Sequence, residues 1–310
     1  MSKISRIFRK ITSNPFEIFS YINKAGFLKG LSDEAFVKIM FRTKFGRKLN
    51  LENPEMFSEK LQWLKLYNRR PEYTDLVDKL NVRNFIKEKI GEEYLIPLIG
   101  AWDSPDEIDF DALPDKFVLK CNHNSGTGMC ICRDRSTLDT EKVRKELRKG
   151  LAEDYYIFTR EWPYKNVKRK IICEVFMEDS GTSELRDYKF FCFNGIPRFL
   201  LVISDREKEG EKTKVDFCGM DGKHLPVKSD VFEISETDPE LPSEFEKMKE
   251  LAVTLSQGIE FVRVDFYQVN GRVYFGEMTL FPLSGFVPYT PEAFDYQMGS
   301  WLELPEKFIE

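Results

Sequence analysis

Histidine is nearly absent: His123 and His224 are the only two in 310 residues, and they lie far apart. No Ser/His/Asp or Cys/His arrangement can be assembled around them. The six cysteines offer only one close pair, Cys130 and Cys132, so a four-ligand zinc site has too few donors. Cys121, Cys130, Cys132, Cys173 and Cys192 all fall in apolar, strand-like runs and read as buried reduced thiols. No stretch approaches the roughly 20 apolar residues that span a bilayer. The start of the chain lacks the apolar core and cleavage site of a secretory signal, so the expected location is cytoplasmic. Also missing are an internal repeat, a low-complexity linker and a Gly-Lys-Ser/Thr phosphate loop. The basic region carries no nucleic-acid-binding signature and the remainder is acidic, so no nucleic-acid partner is expected.

Twenty-seven phenylalanines and a hydrophobic content of 42% supply ample material for a core. The net charge of −5 is unevenly spread. Residues 1–48 hold eleven Lys/Arg against three acids, a surplus of eight, which leaves the rest at −13. The segment SKISRIFRKITSNPFEIFSYI mixes Ile and Phe with Lys and Arg. It suits contact with an anionic membrane surface or an acidic polymer, or equally a solvated helical face beside ordinary packing.

Periodicity separates two regimes. SDEAFVKIMFRTKF, FSEKLQWLKLY and DLVDKLNVRNFIKEKIG repeat apolar residues at three and four and predict helices, the last as one continuous element closed by Gly91. From residue 94 strands dominate: KFVLK, MCICRD, KIICEVFM, DYKFFCFNGIPRFLLVIS and KVDFCGMDGKHL. Single helices are expected at 139–156 and in PSEFEKMKELAVTLSQG. Asn194-Gly195 and Asn270-Gly271 mark hairpin turns. The fold class is α+β with mostly antiparallel sheets.

The hairpin RVDFYQVNGRVYFGEMT, 263–279, carries Arg263, Asp265 and Glu277 in an apolar context. An unpaired buried charge costs several kcal/mol, so these groups need solvent, a partner or a metal. A three-residue loop, Val269-Asn270-Gly271, with Gly271 left-handed in a bulge, puts Arg263, Asp265, Glu277 and Thr279 on one face. Val262, Val264, Phe266, Tyr274 and Met278 then share the other. Adjacent carboxylates repel unless a cation intervenes. Magnesium completed by phosphate oxygens is one answer, and Arg263 pairing with one acid on an exposed face is the other.

A second feature lies upstream. KFVLKCNHNSGTGMCIC, 116–132, is strand, small polar loop, strand: a flap in which glycines let backbone N–H groups approach phosphate oxygens, with Lys120 on the supporting strand. Plain turn geometry explains the same loop. Asp109-Phe110-Asp111 has the D-x-D form of a glycosyltransferase metal motif, but in IDFDALPDKF it reads as turn acids.

Asp78-Lys79 before a helix, the FVLK strand with its HNSGTGM flap, IICEVFM and then RVDF…GEMT together resemble the nucleotide-binding core of the ATP-grasp enzymes. The FSEKLQWLKLY and FVLKCNHNSG stretches resemble more closely the TupA-like ATP-grasp group of teichuronopeptide and surface-polysaccharide biosynthesis, over roughly residues 55–290. That resemblance implies an ATP-grasp fold of two α+β subdomains with largely antiparallel sheets gripping ATP. It divides the chain into a basic helical region at 1–70, a connecting segment at 71–115, a small subdomain with the flap at 116–177 and a large subdomain with the metal site at 178–310.

It further implies that Lys79 and Lys120 contact ATP phosphates and that Ser125, Gly126, Thr127 and Gly128 cover them. Glu174, Phe176 and Met177 would line the adenine pocket, and Asp265 and Glu277 would hold Mg2+. Arg263, and with it Lys189 in RDYKFF, would face the transferred phosphoryl. The group's usual Asn as third metal ligand is replaced here by Thr279, a weaker donor, which puts a second ion in question. Ser284, Gly285 and Tyr289 in LFPLSGFVPYT are candidates for substrate contact, as is turn chemistry for the same stretch.

The implied reaction is an ATP- and Mg2+-dependent carboxylate–amine ligation through an acylphosphate, joining an amino acid to a uronic acid of a surface polysaccharide or its precursor. The basic N-terminus would suit the inner face of a membrane or a lipid-linked precursor. A sugar phosphotransferase, a glycosyltransferase and an inactive nucleotide-binding protein are the alternatives.

Overall fold

A computed structural model of the chain describes residues 15–24, 26–181, 185–204, 213–228 and 233–309. Residues 1–14, and with them most of the basic segment 2–22 and of the expected membrane contact, therefore lie outside the described residues. The helices are α1 Pro15–Lys24, α2 Asp33–Phe45, α3 Phe57–Tyr67, α4 Glu72–Val77, α5 Val82–Lys89, α6 Thr140–Ala152, α7 Tyr155–Thr159, α8 Phe245–Ser256 and α9 Ala293–Trp301. Their limits have local causes. Helix α2 starts where Ser32 accepts the Ala35 N–H and stops at Gly46, which is left-handed (φ 71°).

Strands β1 Leu98–Trp102, β2 Phe117–Cys121, β3 Met129–Cys132 and β4 Ile171–Val175 form an antiparallel sheet in the order β1-β4-β2-β3. In β2, Phe117, Leu119 and Cys121 point inward onto Val143 and Leu147 of α6, while Val118 and Lys120 point to the opposite, open face. Strand β1 belongs to this sheet although LIGAW was not expected to be a strand, so the sheet begins well before residue 116.

The second sheet contains β5 Asp187–Phe193, β6 Ile196–Ser204, β7 Lys214–Gly219, β8 Phe261–Val269 and β9 Arg272–Thr279, ordered β7-β6-β5-β8-β9. Every residue of the central strand β5 is buried. One face of the sheet packs on α8, with Phe190 beside Phe245 (5.8 Å between ring centres). One end of the other face is closed by α3 and α9 through Phe57 against Phe193 and Phe199 against Phe294. The rest of that face is left to form a cavity floor.

Two expected helices are each two. Asp78 leaves helical geometry (ψ 111°) and its carboxylate accepts from Leu80 N at 2.8 Å and Asn122 Nδ2 at 2.7 Å, which separates α4 from α5. Likewise Asp154 accepts the Ile157 N–H at 3.1 Å and starts α7 afresh.

The site hairpin also differs in its turn. Asn270 (φ 50°) and Gly271 (φ 74°) form a two-residue turn with Val269 opposite Arg272. The register shifts at Gly276 instead: Phe266 pairs with Phe275, but Asp265 pairs with Glu277. A Cβ on Gly276 would lie 2.9 Å from the Tyr267 ring, so a side chain at the bulge would have to push that ring aside. Arg263, Asp265, Glu277 and Thr279 still share a face. Tyr274, however, pairs with Tyr267 on that same side, and Val273 and Phe275 join Val264 and Met278 in the core.

Candidate active site

Pairing across the large sheet lays out a two-sided floor. One row reads Glu277, Asp265, Lys189, Leu201, Phe217 from β9 to β7; the next reads Tyr267, Asp187, Ile203, Val215. The floor is charged on β9, β8 and β5 and apolar on β6 and β7.

Arg263 organises the charged half. Its Nε and Nη2 donate to the two Asp265 oxygens at 2.7 Å each, and Nη2 also donates to Glu277 Oε1 at 2.6 Å and Thr279 Oγ1 at 3.0 Å. Lys189 donates to Asp265 and lies 3.4 Å from Asp187. Arg263 thus pairs with both acids rather than one, and Asp265 is only 1% exposed, so the face is not a solvated one. Burial works against the Arg263 charge, but Asp265 and Glu277 raise its pKa well above the ordinary value. Burial pushes the Asp265 carboxyl up while Arg263 and Lys189 oppose it. For Glu277 burial is outweighed: Arg263, Lys189 and Lys79 hold it down at about 2.

Asp187, Asp265 and Glu277 against Lys189 and Arg263 leave one negative charge in excess. Asp265, Glu277 and Thr279 give a hard, all-oxygen donor set on paired strands, which fits Mg2+. Arg263 and Lys189 already donate to both Asp265 oxygens, so an ion held there would share Asp265 with them, and Glu277, whose side chain is 40% exposed, would be the more open ligand.

The opposite wall comes from the small sheet and the flap 122–128. Asn122 fastens the flap's base, donating to Asp78 and to Lys168 O at 3.0 Å and accepting the Lys170 N–H at 2.7 Å. Asn124 donates to Gly150 O and to Glu153 Oε2. Lys79 Nζ donates to Asn124 O at 2.6 Å, and burial lowers its pKa. Lys120 Nζ lies 2.5 Å from Glu174 Oε2, and Arg83 holds the same carboxylate at 3.3 Å. His123 is buried against Glu153 O, and burial pushes it down to about 4, so it is neutral near pH 7.

Lys79, Lys120, Ser125, Gly126 and Thr127 on this wall meet Lys189, Arg263 and Glu277 across a cavity of about 490 Å³. An adjoining cavity of about 270 Å³ is lined by Ile96, Val118, Ile131, Glu174, Phe176 and Met177. Tyr289 lines the larger cavity and stands edge-on to Phe217 at 6.2 Å. Asp265 and Thr279 sit beneath its charged lining.

Three candidates lie elsewhere. Gly128 (φ 68°) packs against α6, where a Cβ would come within 2.7 Å of both Gly150 Cα and Cys121 Sγ, so its absence of side chain serves packing rather than phosphate cover. Gly285 lies against α3, with Gln62 Nε2 2.5 Å from where a Cβ would be. Ser284 donates to Glu161 Oε1 at 2.6 Å and faces a different cavity. Leu283 and Ser284 are both left-handed (φ 46° and 57°), a strained run directly after β9. Asp109 accepts the Asp111 N–H at 3.1 Å, a turn contact.

Sequence reading missed Asp187, which lines the cavity two residues before Lys189; the alternation in DYK was the available signal. It also missed Lys65 and Glu161, 1% and 3% exposed. Lys65 donates to Ser284 O at 2.8 Å and Thr159 O at 3.4 Å. Nothing local marks a lysine in a helical repeat as buried.

Two facing sheets with a flap between them and acids on the last hairpin define an ATP-grasp fold. The chain belongs to the TupA-like ATP-grasp family, whose profile matches residues 59–303. Among solved structures, D-alanine–D-alanine ligase from Bacillus anthracis complexed with ATP is 14% identical at a TM-score of 0.41, covering 67% of this chain and 56% of its own. The ATP-grasp ligase PsnB complexed with a minimal precursor is 11% identical at 0.40, covering 72% and 60%. D-alanine–D-alanine ligase from Helicobacter pylori is 13% identical at 0.39, covering 74% and 61%. The chain thus spans little more than half the length of these structures. No protein of curated function matches it in sequence. Among the described residues no helix is long and apolar enough to cross a membrane.

Proposed function

We propose that the protein is an ATP- and Mg2+-dependent carboxylate–amine ligase acting through an acylphosphate. The observation that carries this reading is the cavity itself, where flap and lysines on one wall oppose Arg263, Lys189 and the two acids on the other. Lys79, Lys120 and the 125–127 backbone bind the triphosphate, and Glu174, Phe176 and Met177 line the adenine compartment. Gly128 supports the flap from below. Asp265, Glu277 and Thr279 hold Mg2+, which neutralises phosphate charge when bound.

A substrate carboxylate oxygen attacks the γ-phosphorus. The new O–P bond forms as the bond to the β,γ-bridging oxygen breaks, and ADP leaves with that electron pair. Arg263 and Lys189 stabilise charge on the phosphoryl group as it moves. An amine then attacks the acyl carbon, the C–O bond to phosphate breaks with phosphate taking that electron pair, and the amine's proton passes to the departing phosphate or to solvent, giving amide and phosphate. Fixed cations stabilise the phosphoryl transfer, and no covalent enzyme intermediate is needed. The substrates in this reading are a uronic acid of a surface polysaccharide or its precursor and an amino acid, with Tyr289 lining the end of the cavity where they meet and Ser284 and Gly285 fixing the adjacent turn from outside it. The setting is cytoplasmic, with the basic N-terminus toward the inner face of the membrane.

The test is mass spectrometry of products after incubation with ATP, Mg2+ and a panel of uronic acids and amino acids. ADP, phosphate and a new amide are expected, all lost in Glu277→Gln. ADP with a stable phospho-sugar would replace the ligase by a phosphotransferase, and product formation without ATP would refute both.

A further inference from the structure

Glu174 is held from two sides. It is 7% exposed on β4, with one oxygen 2.5 Å from Lys120 Nζ and the other 3.3 Å from Arg83 Nη1. Arg83, in the first turn of α5, also donates through Nη2 to Ile96 O at 2.9 Å, so its guanidinium fork is fixed on both prongs. Burial lowers the Arg83 pKa, and Glu174 opposes that. Lys120 lines both the nucleotide cavity and the adenine compartment, Glu174 lines only the second, and Arg83 lines neither.

Lys120 therefore stands at the boundary of the two spaces with its ammonium turned to the adenine side. To reach a phosphate it has to leave Glu174. A carboxylate this buried, stripped of its only cation, would be left with an uncompensated charge, and that cost would oppose the release. Arg83 removes the obstacle. Two cations share one carboxylate, and when Lys120 turns to a phosphate, Glu174 and Arg83 remain as a neutral pair.

We infer that Arg83 is a positioning residue for nucleotide binding, which keeps the Glu174 carboxylate paired so that Lys120 can exchange Glu174 for an ATP phosphate. The inference rests on the nucleotide site of the ligase reading and adds to it a residue that lies outside both cavities.

Calorimetric titration of the full chain tests it with two probes in the presence of Mg2+: a non-hydrolysable ATP analogue, and inorganic tripolyphosphate, which has no base and reports the phosphate end alone. The parent protein should bind the ATP analogue, and Arg83→Met should weaken it by about tenfold or more, because Lys120 is then the only cation on Glu174. In the double variant, Arg83→Met with Glu174→Gln, the affinity should stay within about threefold of Glu174→Gln alone, since no carboxylate is left to hold Lys120 back. Glu174→Gln by itself should bind tripolyphosphate about threefold more tightly than the parent does. If Arg83→Met binds the analogue as the parent does, or costs the same factor with and without the Glu174 carboxylate, Arg83 is a plain positive charge or a packing group and the inference is overturned. Weaker tripolyphosphate binding by Glu174→Gln than by the parent overturns it as well, and that measurement stands even if Arg83→Met misfolds. In each of these cases the parent still binds the ATP analogue and the ligase reading stands. If the parent fails to bind the analogue, the ligase reading falls and takes this inference with it.

Discussion

Asp265→Asn should change nucleotide affinity in opposite directions depending on whether magnesium is present. Asp265 is the shared partner of Arg263 and Lys189, in a cluster that carries one excess negative charge. The substitution makes that cluster neutral. A unit charge roughly 6–8 Å from a phosphate is worth about 2 kcal/mol at an effective dielectric of about 20. ATP without metal should therefore bind roughly 10- to 30-fold more tightly. With Mg2+ the ion loses an anionic ligand, and binding should weaken by at least about tenfold.

Stability should fall as well, but less than for a fully broken buried pair, which costs about 3–5 kcal/mol. Lys189 keeps Asp187 at 3.4 Å and Arg263 keeps Glu277 at 2.6 Å, so a loss of about 2–3 kcal/mol is expected. Calorimetry with and without Mg2+, together with urea unfolding, reads all three quantities. If both affinities move the same way, or stability stays within about 0.5 kcal/mol of the parent, Asp265 is not the joint ion-pair and metal group described here.

Three further outcomes are expected. Lys120→Met should weaken ATP binding by about tenfold, measured by titration; unchanged affinity would leave Lys120 only as the partner of Glu174. Gly128→Ala should destabilise by about 1–3 kcal/mol, because its Cβ collides with the α6 backbone at a left-handed position; a melting temperature equal to the parent's would show that the contact yields. Burial raises the Glu161 carboxyl, with Lys65 partly opposing, to about 7. The folded state therefore favours the protonated form, and stability declines as pH rises from about 4.5 through 7. Glu161→Gln should remove that decline and stabilise by about 1–3 kcal/mol at pH 8; destabilisation there would mean that the charged carboxylate is the form Lys65 needs.

The parts of the site that were legible are those in which one short segment carries both the chemistry and the geometry. RVDF…GEMT holds its acids at strand periodicity, and FVLKCNHNSGTGM holds lysine, glycines and strand within one hairpin. Even there, the correct grouping of Arg263, Asp265, Glu277 and Thr279 came through the wrong bulge. A shift at Gly271 or at Gly276 yields the same facing beyond it, and only the residues between the two positions, Tyr274 among them, distinguish them. The helices at 75–91 and 139–156 were over-extended because an aspartate's bond to a nearby N–H can interrupt a helix without disturbing the apolar spacing.

Local sequence by itself determined the antiparallel α+β character, the two Asn-Gly turns, the flap and the charged hairpin face, since each depends on interactions a few residues apart. Only the tertiary structure decided that Lys65 and Glu161 are buried, that Gly128 and Gly285 serve packing, and that Leu201, Ile203, Val215 and Phe217 complete the floor beside Lys189. It also brought α1 and α2 against the flap to enclose a second cavity. Burial and enclosure are properties of what other segments place around a residue, and those segments lie up to a couple of hundred positions away in the chain, as Lys65 and Ser284 do.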